Sequence, residues 1–182
     1  MATERKFCRF SRTKDASGLV TGEIPEGGFC LSTFLLISKK SSRPNVLLGK
    51  INPEANWEHI GALDKRRVEL FKEGWMLPSS HLMLYESPQE ASRRILREQV
   101  GLRDIQLAGP IVISEVYLNP RHTKAENHWD IEFIFTSTYD QEISNLPPVW
   151  RELRFVELDS LRKEDIARSH GDIIENAGLY KW

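Results

Sequence analysis

Apolar residues cluster in two short runs near the start of the chain. Residues 29–38 are rich in β-forming and apolar side chains and predict a buried strand. A polar segment with Pro44 and Asn45 has the composition of a turn. Residues 46–51 are again apolar and predict a returning strand. The two strands are therefore expected to form a hairpin.

A helix is predicted where apolar residues recur at helical spacing after residue 87. Ser87 is suited to cap the helix, Pro88 to begin it, and Glu90 to complete a capping box. Gly101 is placed to end it in a left-handed conformation. The expected apolar face consists of Ala91, Ile95, Leu96 and Val100.

The other segments complete a mixed α and β order. Loops are expected over residues 52–61 and 119–127. Helices are expected over 62–73 and over 160–179, the latter broken near Gly171. Strands are expected over 105–117, 129–137 and 153–158. Residues 1–28 are polar and glycine-bearing and predict an N-terminal arm that is irregular or a short hairpin. Residues 29–182 then form one α+β domain in which helices pack on a sheet.

Composition narrows the classes of function. The chain has 182 residues and a net charge of −1, so no sequence-wide charge attracts it to nucleic acid or an anionic membrane. No apolar run approaches the roughly 20 residues that span a bilayer. The N-terminus is charged and unlike a signal peptide, so a cytoplasmic protein is expected. Cys8 and Cys30 are expected to be reduced thiols, with a bridge between them as the alternative.

One segment carries a recognisable motif. Residues 75–102 are W-M-L-P-S-S-H-L-M-L-Y-E-S-P-Q-E-A-S-R-R-I-L-R-E-Q-V-G-L. This segment resembles the Nudix box, G-x5-E-x7-R-E-U-x-E-E-x-G-U, in which U is aliphatic. The spacing is kept throughout, with Ser80 at the leading glycine and these residues at other motif positions: Glu86, Arg94, Leu96, Glu98, Gly101 and Leu102.

The resemblance covers roughly residues 29–179 and implies the Nudix fold, a mixed β-sheet between helices. It further implies a hydrolase of nucleoside diphosphate derivatives that uses Mg²⁺ or Mn²⁺, and a possible homodimer. In the family, glutamates stand at the positions of Ile95, Glu98 and Gln99. Carboxylates at this spacing share a helix face and can hold Mg²⁺, which activates water. Ile95 cannot ligate and Gln99 offers only a neutral carbonyl, so metal binding is expected to be much weakened.

Each candidate residue has a functional and a structural interpretation. Glu98 is a surviving catalytic and metal-binding carboxylate, or else a surface partner of Arg94. Glu86 lies near the metal by resemblance, although pairing with Arg94 is the favoured interpretation. The candidate ligand-binding residues are His81, Arg94 and Arg97. His81 and Arg97 are placed to meet a ligand phosphate, although a lone histidine is usually not a ligand and a solvated surface charge is the favoured interpretation of Arg97. Replacement carboxylates or imidazoles are sought among residues otherwise expected to be surface groups: Glu115, Glu126, Asp130, Glu132, His122 and His128.

Three hypotheses follow from these residues. The favoured one is a Nudix-like domain that binds a nucleotide-like ligand and has weak or lost hydrolase activity. The alternative is an active metal-dependent hydrolase with Glu98, Glu86 and Gln99 at its metal. The third is a protein–protein interaction module.

Overall fold

The computed structural model describes the backbone of residues 9–10, 29–119 and 126–182, and the side chains of residues 29–115 and 129–182. Most of the predicted N-terminal arm, residues 1–28, lies outside the described residues, and so does Cys8. The middle of the predicted polar loop, with His122, also lies outside them, as do the side chains of Glu126 and His128.

The centre of the fold is one mixed sheet. Its strands are β1 Arg9–Phe10, β2 Phe29–Ser38, β3 Asn45–Ile51, β4 Ser79–His81, β5 Ala108–Asn119, β6 Glu126–Thr138 and β7 Trp150–Glu157. The main order is β5-β6-β2-β3-β7, and β1 and β4 also pair with β2. The pairing of β2 with β6 is parallel and the other pairs are antiparallel.

Helices cover both faces of this sheet. They are α1 Trp57–Gly61, α2 Lys65–Phe71, α3 Pro88–Ile95, which continues as a π turn over Leu96–Val100, and α4 His170–Asn176. One face packs Leu35 and Phe135 against Ile95 and the π turn. The opposite face packs Phe34 and Ile134 against α4. The predicted α+β architecture, a mixed sheet between helices, is confirmed.

The helix predicted after residue 87 has the expected ends. The Ser87 side chain accepts the Glu90 amide, Glu90 bonds back to the Ser87 backbone, and Pro88 begins the helix. Gly101 ends it with φ of 78°. All four residues of the expected apolar face are at most 1% exposed.

Two predicted elements differ from the structure. Strands β2 and β3 pair only at Ser38 and Val46, because β4 pairs with β2 nearer its start and β3 pairs along its length with β7. The predicted helix over 160–179 is reduced to 3-10 turns followed by α4. The backbone has positive φ at Arg168 and Ser169, and this interrupts the helix just before Gly171, near which a break was predicted.

Two further predictions concern a loop and a thiol. Residues 52–61, predicted as a loop, contain the short helix α1, which Asn56 caps by accepting the His59 amide. Cys30 is free and half-buried. Within the part of the chain that the structure describes, no helix is long and apolar enough to span a membrane.

Candidate functional site

The motif segment folds as a strand, a short loop and a helix. Ser80, at the position of the leading glycine of the motif, lies with Ser79 in β4, and neither serine has a positive φ. The Ser80 hydroxyl donates to the Ile60 carbonyl at 2.9 Å. The serines thus belong to a regular strand that pairs with β2.

Glu86 and Arg94 join the loop to the helix in a buried ion pair. The Arg94 Nε and Nη2 atoms each donate to the Glu86 carboxylate at 2.7 Å, and the side chains are only 5% and 7% exposed. Glu86 also accepts the Met83 amide at 2.9 Å, and Arg94 Nη2 donates to the His81 carbonyl at 3.0 Å. The predicted pairing of Glu86 with Arg94 is confirmed, and it places both charges away from solvent.

The alternative partner of Arg94, Glu98, is not used. Two nitrogen atoms of the Arg94 guanidinium bind Glu86 and the His81 carbonyl, and the third, Nη1, is buried with no hydrogen-bond partner among the described residues. The suggested surface salt bridge between Arg94 and Glu98 is therefore wrong. Glu98 itself is half-buried in the π turn.

Gln99 uses its whole side-chain amide to bind the backbone of Ser79. Its Oε1 accepts the Ser79 amide at 3.0 Å, and its Nε2 donates to the Ser79 carbonyl at 2.8 Å. The backbone carbonyl of Gln99 accepts the indole Nε1 of Trp150 at 2.6 Å. Gln99 is 1% exposed. The side chain thus connects the helix to β4, and the Trp150 bond connects the same residue to β7.

The three positions expected to carry glutamates do not form a shared ligand surface. Ile95 is 0% exposed within the hydrophobic core, and Gln99 is engaged with Ser79. The helix also changes to π hydrogen bonding at Leu96, which widens the turn and alters which side chains share a face. Of these three positions, that of Glu98 alone carries a carboxylate. Among the described residues no three His, Cys, Asp or Glu side chains gather to hold a metal, so the donor set does not fit Mg²⁺ or Mn²⁺.

The remaining candidate ligand residues differ in how exposed their side chains are to solvent. His81 lies in β4 at 7% exposure, with its Nδ1 3.2 Å from the Ser32 hydroxyl. Arg97 is exposed on the π turn. Of the predicted ligand-binding residues, Arg97 alone presents its side chain openly to solvent, because Arg94 and His81 are buried.

Glu132 was expected to be a surface charge, and the structure corrects this. It is 6% exposed, and its Oε2 has no hydrogen-bond partner among the described residues. Burial, followed by the negative charges of Asp130, Glu115 and Asp172, raises the pKa of Glu132 to about 8, while Arg168 opposes the shift. Alternation with the apolar Ile131 and Phe133 favoured a solvent-facing Glu132, but β6 is covered on both faces, and Ile134, on the same face as Glu132, is also buried.

No family model matches the sequence, and no curated protein is similar enough in sequence to count as a relative. Solved structures do match. The NUDIX domain of NrtR from Shewanella oneidensis, complexed with ADP ribose, is 14% identical with a TM-score of 0.56 and covers 83% of this chain and 87% of that chain. A MutT protein from Methanosarcina mazei Go1 is 16% identical with a TM-score of 0.54, covering 86% and 95% respectively. A mutT/nudix family protein from Listeria innocua is 18% identical with a TM-score of 0.52, covering 82% and 91%.

Replacement of Gln99 by Glu tests whether this position is structural. A carboxylate removes the donor to the Ser79 carbonyl and places charge in a buried site, so Gln99→Glu is expected to lower the free energy of unfolding by at least ~2 kcal/mol. Urea denaturation measures the change. Gln89→Glu, the same change at an exposed position of α3, is the control and is expected to stay within about 0.5 kcal/mol of wild type. Equal effects would contradict the structural role of Gln99.

Removal of Glu86 is expected to be costly because Arg94 would stay buried without its partner. Glu86→Ala should lower the free energy of unfolding by about 3–5 kcal/mol. The control is Glu73→Ala, which breaks the exposed pair of Glu73 with Arg151 and should cost less than about 1 kcal/mol. Chemical denaturation of both variants compares the two pairs, and a small loss in Glu86→Ala would show that the buried pair adds little.

The raised pKa of Glu132 predicts a specific pH dependence of stability. Between the ordinary carboxyl pKa of 4.5 and the folded value of about 8, the folded state holds the proton and the unfolded state does not. Stability therefore falls as pH rises through this window, by at most roughly 1.4 kcal/mol per pH unit.

Glu132→Gln should flatten that slope and be more stable than wild type at alkaline pH. Denaturation midpoints measured at about pH 5, 7 and 9 would show this effect, because these pH values span the window in which the folded and unfolded states bind different numbers of protons. Glu54→Gln, at an exposed position, is the control and should keep the wild-type slope. A Glu132→Gln profile parallel to that of wild type would exclude a buried proton at Glu132.

Proposed function

From the Nudix fold that the solved structures establish, we propose that this chain binds a nucleotide-like ligand and has lost most or all metal-dependent hydrolysis. The observation that carries this proposal is the use of the family's metal positions for packing. Ile95 is core and the Gln99 amide is bound to Ser79. A divalent cation would meet one carboxylate, Glu98, where hard cations are usually held by several oxygen ligands.

The ligand class is inferred from the fold neighbour solved with ADP ribose. Such a ligand carries a diphosphate, which a surface cation attracts. Arg97 is exposed on the same turn as Glu98, whereas the charge of Arg94 is already matched by Glu86. We therefore assign the phosphate contact to Arg97 and treat Glu86 and Arg94 as the pair that holds the loop in place.

Binding is expected to occur without metal. With ADP-ribose at about 100 times its Kd, binding stabilises the folded state by about 2.7 kcal/mol, which corresponds to a rise in Tm of roughly 5–11 °C for a domain of this size. Thermal melts with ADP-ribose, with and without Mg²⁺ or Mn²⁺, measure it. Arg97→Gln should reduce the rise, while Arg66→Gln, at an exposed position of α2, should leave it unchanged.

Hydrolysis is tested on the same samples. Incubation of wild type with ADP-ribose and either metal, followed by chromatography of the products, should give no more turnover than Glu98→Gln. Turnover that needs metal and disappears in Glu98→Gln would establish the active hydrolase instead. A protein with neither turnover nor any Tm rise from nucleotides would favour the interaction module, which needs no nucleotide site.

A further inference from the structure

The sheet face that packs against α4 changes from apolar to acidic along β6. Ile134 belongs to the apolar part of this face. Glu132 and Asp130 precede it at intervals of two residues, so their side chains point to the same face. Glu115 of β5 is the ladder partner of Asp130 and shares this face too. Two adjacent strands therefore direct carboxylates to the face that lies opposite α3.

Helix α4 and the turn before it bring further charge to the same place. Asp172 lies in α4 and Arg168 in the preceding turn, and both act electrostatically on Glu132. Asn176, also of α4, donates a hydrogen bond to Glu115 and so connects the helix to β5. The carboxylates gathered here are called the α4-side cluster: Glu115, Asp130, Glu132 and Asp172.

Glu132 is the buried member of this cluster. It is 6% exposed, while the other three carboxylates are half-buried. Its Oε2 has no hydrogen-bond partner among the described residues. Neither protonation state satisfies this atom, because an ionised Oε2 would need a donor and a protonated one an acceptor. A buried polar atom is normally partnered, so Glu132 indicates that a group from solution binds here.

The charge of the surroundings decides which kind of group fits. The cluster contains four carboxylates, and the cations nearest to it are Arg168 and Lys163. Lys163 is shared between Asp172, at 2.6 Å, and Glu175. Negative charge is therefore in excess, which repels an anionic ligand. A cation with N–H groups is attracted and forms charge-assisted hydrogen bonds with carboxylates.

A single metal ion does not suit this arrangement. Calcium and magnesium need several oxygen ligands within about 2.0–2.6 Å of one point. Throughout the described parts of the chain, no three His, Cys, Asp or Glu side chains come together in that way. An organic diammonium ion differs because it carries a charge at each end and donates hydrogen bonds to carboxylates that are further apart.

We propose that the α4-side cluster binds an organic diammonium ion, with one ammonium group donating to Glu132 and the other held at the half-buried rim. The site lies on the sheet face that packs against α4, whereas Arg97, assigned above to a nucleotide phosphate, lies on the π turn that packs against the other face. The two proposals therefore stand or fall separately.

Binding is expected to release a proton from Glu132. Burial first, and then the other three carboxylates of the cluster, raises the pKa of Glu132 to about 8, and Arg168 opposes this shift. From the remaining strands, Ile113 and Ser32 pair with Glu132, and the Ser32 hydroxyl lies 3.2 Å from Nδ1 of His81. An ammonium group favours the ionised carboxylate, so the affinity should rise as pH approaches the pKa of Glu132.

The test is calorimetric titration of the full chain with linear diaminobutane, which has an amine at each end. Alkylamines resemble Lys, with a pKa of about 10.4, and stay charged below it. Wild type should bind one diamine, with a Kd at least about tenfold higher at about pH 6 than at about pH 8. Two buffers of different ionisation enthalpy should reveal the release of roughly one proton at the lower pH. Linear butanediol, of the same length but uncharged, should not bind.

The matched variants are Glu132→Gln and Glu54→Gln, the latter at an exposed position. Melting curves first establish that both are folded. At about pH 8, Glu132→Gln should raise the Kd at least about tenfold and remove its pH dependence, because the ionised partner of the ammonium group is lost. Glu54→Gln should bind the diamine like wild type.

Four outcomes would overturn the proposal. They are no binding of the diamine by wild type, equal binding of butanediol, equal binding by Glu132→Gln, and displacement of the diamine by Mg²⁺ at the same concentration and ionic strength. The last would show that the cluster is a metal site. None of these results depends on ADP-ribose binding or on hydrolysis.

Discussion

The hydrogen bonds of Gln99 hold together the part of the molecule on which the site depends. A buried amide with donor and acceptor both satisfied fixes the distance between the helix and β4, while the indole of Trp150 fixes the same turn against β7. Trp150 in turn needs Gly49, since a Cβ atom there would lie 2.5 Å from the indole ring. Loss of one partner would leave buried polar groups unsatisfied, which is why these contacts constrain helix, strand and core together.

How much the sequence could predict depended on whether a feature is local. The strand over residues 29–38 and the capping box at Ser87 were predicted correctly, because composition and capping act within a few residues. The pairing of β3 with β7 could not be predicted from a pattern that says which side chains are buried but not which strand lies alongside. The break before α4 was predicted near Gly171, but its position at Arg168 and Ser169 depends on positive φ at two residues that are not glycine, which composition does not indicate.

The same distinction between local and long-range features applies to the candidate site, of which only a part could be predicted. The pairing of Glu86 with Arg94 followed from the motif, whereas the burial of Glu132 required knowledge that both faces of β6 are covered. Gln99 is the most informative case. From sequence it was a weakened metal ligand. In the structure its amide completes the hydrogen bonding of a strand backbone, a role that only the three-dimensional distance to Ser79 reveals.

Ile95 and Gln99 stabilise the helix in a way that three carboxylates at its motif positions would not. Three carboxylates on adjacent turns of a helix repel one another and favour the fold only when a cation is bound. An isoleucine in the core and an amide matched to a backbone carbonyl and amide remove that repulsion and add stability without a ligand. Functional positions are commonly the places where a fold gives up stability. With Ile95 in the core and Gln99 bound to Ser79, this helix stabilises the fold at both positions without needing a cation.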